Sequence, residues 1–190
     1  MGTRGCYGFR KNGIDKLTYN HFDSYPNGLG RDVLHFCKST SLAEMNEIYD
    51  RLIMVNESEK PTDDQIAECS YWFNGNVSRQ TPEDWYCLLR NAQGDLNAYK
   101  TELRYMIDNH DFIQDSLFCE YAYIINLDTK KLEFWVGFQK TPHKGNRYGT
   151  KDNRGYYPCK MVAFYSLLSR YMEKRDVDKT VLDMDKKAGN

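Results

Sequence analysis

The chain has 190 residues, of which 41% are hydrophobic and 14% aromatic, and its formal net charge at pH 7 is −1. This length and apolar content suit one domain with a substantial core, and the near-zero charge argues against strong nonspecific binding of nucleic acid, which needs a surplus of cations. No apolar run approaches the roughly 20 residues that span a membrane, and no signal peptide is recognised. We therefore expect a cytoplasmic protein that does not bind membranes, with its six dispersed cysteines reduced.

Residues 3–22 are predicted to form a β-hairpin. Residue types alternate over 3–10 and again over 16–21, with the two-residue period of a strand. Asn12-Gly13 lies between these runs and is a sequence that type I′ turns favour, because both positions need a positive φ angle. The chain is thus expected to reverse direction at Asn12-Gly13.

A bend rich in turn-forming residues follows the hairpin at 23–30. Its proline presets one backbone dihedral, and its two glycines adopt conformations closed to other residues. His21 and Tyr25 are therefore expected on a stiff turn at a strand end, where binding residues often collect. The simpler interpretation is that Asp23 and Ser24 only hydrogen-bond the backbone of the turn.

The start MGTRG, the pair Gly8-Phe9 and the segment YNHFDSYPNGLG resemble a group of uncharacterised bacterial and phage proteins. The resemblance is concentrated in residues 1–34. It implies a phage or mobile-element origin, and it brings no established activity and no catalytic residue.

The middle of the chain is predicted to be helical, because apolar residues recur there at helical spacing behind capping sequences. Helices are expected over 29–38, over 42–52 behind the capping-box pattern Ser41–Glu44, from Thr62 to Asn74, from Thr81 onward, from Leu96 to about Asn109, and again from Pro158 to Met172.

A second hairpin is predicted over 121–138, where two alternating runs flank the turn sequence Asp128-Thr129-Lys130. Since an isolated hairpin is only marginally stable, we expect both hairpins to share one antiparallel sheet with helices packed on its apolar face. The predicted fold class is α+β, with about five helices. Residues 1–175 would form the domain, and the charged segment 176–190 would be a fraying tail.

Residues 139–157 form a long aperiodic loop that is strongly basic in a nearly neutral protein. Cationic side chains and flexible backbone amides suit phosphate, and tyrosine faces suit a base. Tyrosine and arginine also serve as anchors in protein interfaces, and a merely solvated loop is a third interpretation. We predict a binding module, without a cofactor, for a phosphate-containing, nucleotide-like small molecule or a host protein. The predicted ligand-binding residues are Lys144, Arg147, Tyr148, Lys151, Arg154 and Tyr156 of the loop, with His21 and Tyr25 of the bend.

The competing hypothesis is an amide hydrolase with an N-terminal nucleophile, in which the α-amine of a processed chain acts as the base. Cys6 or Thr3 would be the nucleophile, and Asn20 and Asp23 would lie at the adjacent bend. Removal of Met1 exposes neither nucleophile, so this hypothesis requires further processing.

No metal site is predicted. The pairs His21 with Asp23 and His35 with Cys37 each offer two ligands, fewer than a zinc site needs. The strand edges of both hairpins leave pairing with a second copy of the chain open.

Overall fold

The computed structural model describes residues 2–189 and has an α+β fold, as predicted. The strands are β1 Gly5–Lys11, β2 Ile14–Asn20, β3 Ile53–Val55, β4 Tyr105–Ile107, β5 Tyr121–Asn126, β6 Lys131–Val136 and β7 Lys160–Ser166. The helices are α1 Arg31–Ser39, α2 Leu42–Arg51, α3 Asp63–Cys69, α4 Trp85–Leu88, α5 Ser169–Met172 and α6 Val177–Ala188.

Five strands form one sheet in the order β2-β1-β5-β6-β7, and β3 and β4 form a small second sheet. The two predicted hairpins, β1–β2 and β5–β6, are confirmed and share the large sheet. They meet through β1 and β5, which are parallel, so the sheet is mostly rather than wholly antiparallel. A parallel pair needs a long crossover connection, which the largely helical chain between β2 and β5 supplies.

The tips of the two hairpins are joined. Asn12 and Gly13 have φ angles of +54° and +75°, as the predicted turn requires. The carboxylate of Asp128, in the turn of the second hairpin, accepts hydrogen bonds from both backbone amides at 2.7 and 3.0 Å.

The main hydrophobic core lies between one face of the large sheet and the helices. The rings of Phe9, Phe36 and Tyr99 pack edge to face at its centre, with centroids 5.1 to 6.2 Å apart. The opposite face of the sheet carries a smaller core that includes Trp135 and three of the cysteines. Both faces of the central strands are therefore buried, which explains their apolar composition.

Two predicted helices are strands or turns instead. Residues 96–109 contain a 3₁₀ turn, Leu96–Lys100, and the strand β4, which pairs in parallel with β3. The expected helix from Pro158 is the edge strand β7, in which Tyr165 is buried while Phe164 is exposed. Pairing with β6 overrides the local helical spacing of the apolar residues.

The charged C-terminal segment is not a fraying tail, so that prediction is wrong. Residues Val177–Ala188 form α6, which buries Val181 and Met184 in the main core. The hydroxyl of Tyr165 on β7 donates to Asp183 on α6 at 2.8 Å. The last helix is thus part of the domain.

Helix starts are partly as predicted. Both capping boxes are present, Ser41 with Glu44 and Thr62 with Gln65. Thr81 does not cap a helix, because α4 begins later and its cap is Asp84.

Across residues 2–189, none of the helices has both the length and the hydropathy that a membrane span requires.

Candidate functional site

The basic loop 139–157 is fastened to the sheet through a buried carboxylate. Glu133, on β6, is 4% exposed and accepts two hydrogen bonds from the guanidinium of Arg147 at 2.9 and 2.6 Å. Asn126 and the indole of Trp135 donate to the same carboxylate at 2.7 and 3.0 Å. Burial is the largest single influence and would lower the pKa of Arg147, but the hydrogen bonds and charge interactions with Glu133 and Tyr148 together outweigh burial and raise the pKa. Arg147 is therefore an anchor whose charge is already paired.

Tyr148 fastens the loop at a second point. Its hydroxyl donates to Asp15 at the start of β2, at 2.7 Å, and its ring packs edge to face on Trp135. Asp15 also pairs with Arg10 at 2.8 Å. Burial, together with the Asp15 charge, raises the pKa of Tyr148, so the hydroxyl stays protonated.

Further contacts hold the rest of the loop. The side-chain amide of Asn146 donates to the carbonyl of Cys159 at 2.9 Å, and bridges join Gln139 to Tyr157 and Asn153 to Tyr156. The backbone of the loop therefore has a defined shape, which determines where its exposed side chains emerge.

The outward side of the loop combines cations with aromatic rings, and we call its residues the loop surface: Phe138, Lys140, Lys144, Lys151, Arg154 and Tyr156. Lys144 and Lys151 are exposed, and the ammonium of Lys140 lies 3.5 Å from the ring centre of Tyr156. The guanidinium of Arg154 lies 5.5 Å from the ring centre of Phe118 and 3.9 Å from a carboxylate oxygen of Asp115. Phe138 is 52% exposed and has a φ of +55°, a strained value for a bulky residue. Exposure and strain together are typical of residues kept for binding.

The bend forms a separate hollow of about 310 Å³. Tyr25 lies on its wall with Phe22 and Arg90, and no residue of 139–157 lines it. The guanidinium of Arg90 stacks on Phe22 at 5.7 Å, and no ion pair for Arg90 is found within residues 2–189. The loop and the bend are thus two candidate sites.

His21 comes just before the bend in the chain, does not line the hollow, and is held in place by two hydrogen bonds. Its Nδ1 shares a 2.7 Å hydrogen bond with the Tyr19 hydroxyl, and its backbone amide donates to Gln93 at 3.2 Å. Burial lowers the pKa of His21, and the charges of Arg90 and Arg4 lower it further. His21 is therefore neutral at pH 7 and acts as a hydrogen-bonding partner rather than as a cation.

A titration of the His21 ring by NMR is expected to give a pKa below about 6.5, the ordinary histidine value. Because the pKa is lowered in the fold, the contribution of neutral His21 to stability is present above that value and is lost as the pH falls through the lowered pKa. Arg90→Gln should raise the pKa of His21 part of the way to its ordinary value, because it removes one of the positive charges that lower it. Arg170→Gln should leave the pKa of His21 unchanged, because Arg170 is not among those charges. A His21 pKa at or above the ordinary value would contradict this electrostatic picture.

The residues that the hydrolase hypothesis names have structural roles, as their burial and hydrogen bonds show. Cys6 is fully buried in β1, with its Sγ 3.8 Å from that of Cys119. The carbonyl of Thr3 accepts from the amide of Ser24 at 3.1 Å, and the side chain of Asn20 donates to the Ser24 hydroxyl at 2.9 Å. A nucleophile must reach its substrate, and the fold of residues 2–189 leaves Cys6 without exposed surface.

Asp23 shapes the bend through its backbone. It has a φ of +54°, and its carbonyl accepts from the amide of Leu29 at 2.8 Å. A side chain at Gly28 would come within 2.1 Å of that carbonyl, so only glycine fits there.

Within residues 2–189, no three His, Cys, Asp or Glu side chains are grouped so that they could hold a metal ion. His35 is exposed on α1 while Cys37, two residues on, is buried in the main core, so the two do not meet.

The predictions from the sequence missed two residues that determine the site, Glu133 and Phe138. Glu133 is the one acidic residue in the run Leu132–Val136, and an isolated acid in a buried strand signals a buried partner. Phe138 could be found only from the three-dimensional structure, because neither its exposure nor its positive φ is indicated by the alternating apolar pattern around it.

Comparisons of the chain with protein-family models, with curated proteins and with solved structures found no match.

Proposed function

We propose that the chain is a binding module that docks an acidic surface of a partner protein on the loop surface. The observation that carries the proposal is a group of exposed cations on a loop that is anchored to the sheet, together with one exposed ring, Phe138, and one half-buried ring, Tyr156. Arginine, tyrosine and other aromatic residues are the usual anchors of protein interfaces, and complementary charge speeds and orients association.

A protein partner fits the loop surface better than a small phosphate ligand does. Small molecules bind in concave pockets, and five hollows formed by residues 2–189 are lined by none of Lys144, Lys151 or Arg154. Arg147, the loop's best-placed guanidinium, is already paired with Glu133. If the chain comes from a phage, as its resemblance implies, the partner would be a host protein.

Reversing three loop charges tests the proposal. The variant K144E/K151E/R154E should bind a short Asp- and Glu-rich peptide at least about tenfold more weakly than the wild-type chain does, because like charges now face each other. All three side chains are exposed, and the one ion pair that is lost, Arg154 with Asp115 at 3.9 Å, is long and largely exposed on the Arg154 side, so the fold should be unchanged.

The matched control is K174E/K179E/K186E, which makes the same change in net charge at exposed positions near the C-terminus. If both variants bind the peptide more weakly by the same factor, the effect comes from net charge alone, and the proposal is contradicted. Equally tight binding of a single-stranded oligonucleotide would also contradict it, because the surface would then not select a protein.

A second candidate function is the capture of a phosphate-containing, nucleotide-like molecule in the hollow at the bend. It is favoured by Arg90, which faces that hollow between the Phe22 and Tyr86 rings, and opposed by the carboxylates of Asp23 and Asp32 in the same lining. Titration with AMP tests it: saturable binding that Arg90→Gln removes would support it, and no binding would exclude AMP as the ligand.

A further inference from the structure

A larger cavity lies on another side of the molecule, where the turn between α1 and α2 meets the junction between β7 and α5. Its volume is about 610 Å³, within the range of about 300–1,000 Å³ that is usual for small-molecule sites. The lining is mostly apolar and includes Leu42, Leu167, Leu168 and Met172. No residue of the loop surface or of the bend takes part in it, so this cavity is independent of the proposed function.

One buried polar group in the lining has no partner. Thr40 is 6% exposed, and its hydroxyl oxygen, itself buried, makes no hydrogen bond within residues 2–189. Buried hydroxyls are nearly always paired, because leaving one unpaired destabilises the fold. The hydroxyl oxygen is closed off in the free protein, so a ligand must shift a neighbouring group to bring a hydrogen-bond acceptor to it, and that hydrogen bond would remove this cost.

The charged groups of the lining are two cations and one anion, Lys38, Arg170 and Glu173. The ammonium of Lys38 is occupied, since it donates to the carbonyls of Glu173 and Arg175 at 3.0 and 2.5 Å. Arg170 is exposed and stacks on Tyr171 at 4.8 Å. Among the residues that the structure describes, no carboxylate pairs with Arg170.

We propose that this cavity binds a small amphipathic carboxylic acid. Its hydrocarbon part fills the apolar cavity, and its carboxylate accepts hydrogen bonds from the Thr40 hydroxyl and the Arg170 guanidinium. A purely apolar ligand would leave Thr40 unpaired, and a cationic ligand would meet the free charge of Arg170.

Calorimetric titration with dodecanoate, below the concentration at which it forms micelles, tests this assignment. Dodecanoate should bind saturably and more tightly than dodecanol. Arg170→Gln should weaken dodecanoate about two- to fivefold, as for a partly exposed ion pair, and Thr40→Val should weaken it about two- to tenfold, as for one hydrogen bond. Lys60→Gln, a matched exposed cation far along the chain from this lining, should leave the affinity unchanged.

Thr40→Val also separates binding from folding. Because valine removes an unpaired buried hydroxyl, this variant should raise the Tm of the free protein while it weakens dodecanoate. The absence of saturable binding would overturn the proposal, and so would an affinity that neither Thr40→Val nor Arg170→Gln changes.

Discussion

Glu133→Gln is expected to lower the free energy of unfolding by about 3 kcal/mol, the low end of the range for removing one partner of a buried ion pair. The glutamine amide cannot accept all the hydrogen bonds that Asn126, Trp135 and Arg147 donate to the carboxylate. The guanidinium of Arg147 then stays largely desolvated without a counter-charge. We expect the low end of that range because the Arg147 side chain is 24% exposed, so water can solvate part of its charge after Glu133 is replaced. Urea unfolding of both proteins measures the difference.

A double-mutant cycle measures the interaction energy between Glu133 and Arg147. If Glu133 and Arg147 interact as the structure shows, E133Q/R147Q should be less destabilised than the sum of the two single variants. Glu83→Gln is the control, because Glu83 pairs with Lys60 at 2.8 Å with both side chains largely exposed; it should leave stability unchanged. A loss no greater for Glu133→Gln than for Glu83→Gln would show that the loop is not anchored in this way.

Met184→Ala is expected to destabilise the protein by about 2–5 kcal/mol, the range for truncating a fully buried methionine. Met184 is 0% exposed, and α6 packs it into the main core. The cavity left behind cannot close easily, because the Tyr165–Asp183 hydrogen bond holds α6 against β7. The change in the urea midpoint gives the loss directly.

Leu182→Ala is the matched control on the same helix. Leu182 is 58% exposed, so its truncation should change stability by no more than about 0.5 kcal/mol. If the last helix were a fraying tail, both substitutions would have the same small effect, and the description of α6 as part of the domain would be wrong.

The local features of the fold could be predicted from the sequence. The Asn12-Gly13 turn, the two hairpins and the capping boxes each depend on neighbouring residues, and the structure has all of them. The features that were missed depend on distant contacts. The strand β7 is stabilised by pairing with β6, and α6 by burial of Met184 in a core that the rest of the chain builds.

The same limit applies to predicting the candidate site: its local composition can be read from the sequence, but its distant contacts cannot. The basic and aromatic character of 139–157 can be read from its composition, but which of its cations are held in buried ion pairs cannot. Arg147 and Tyr148 are paired with Glu133 and Asp15, which lie 14 and 133 residues away along the chain. A carboxylate that distant leaves no local pattern, so the sequence could not separate the two anchors from the exposed Lys144, Lys151 and Arg154.

Mapping the chemical-shift changes that a short Asp- and Glu-rich peptide causes in the ¹⁵N-labelled protein is the most direct test of the account. We expect the changes to be centred on Lys144, Lys151, Arg154 and the neighbouring Phe138 and Tyr156, while the guanidinium resonance of Arg147 stays in place because Glu133 holds it. Changes centred on the hollow at the bend, or a displaced Arg147 resonance, would contradict the claim that a preformed loop surface binds the partner.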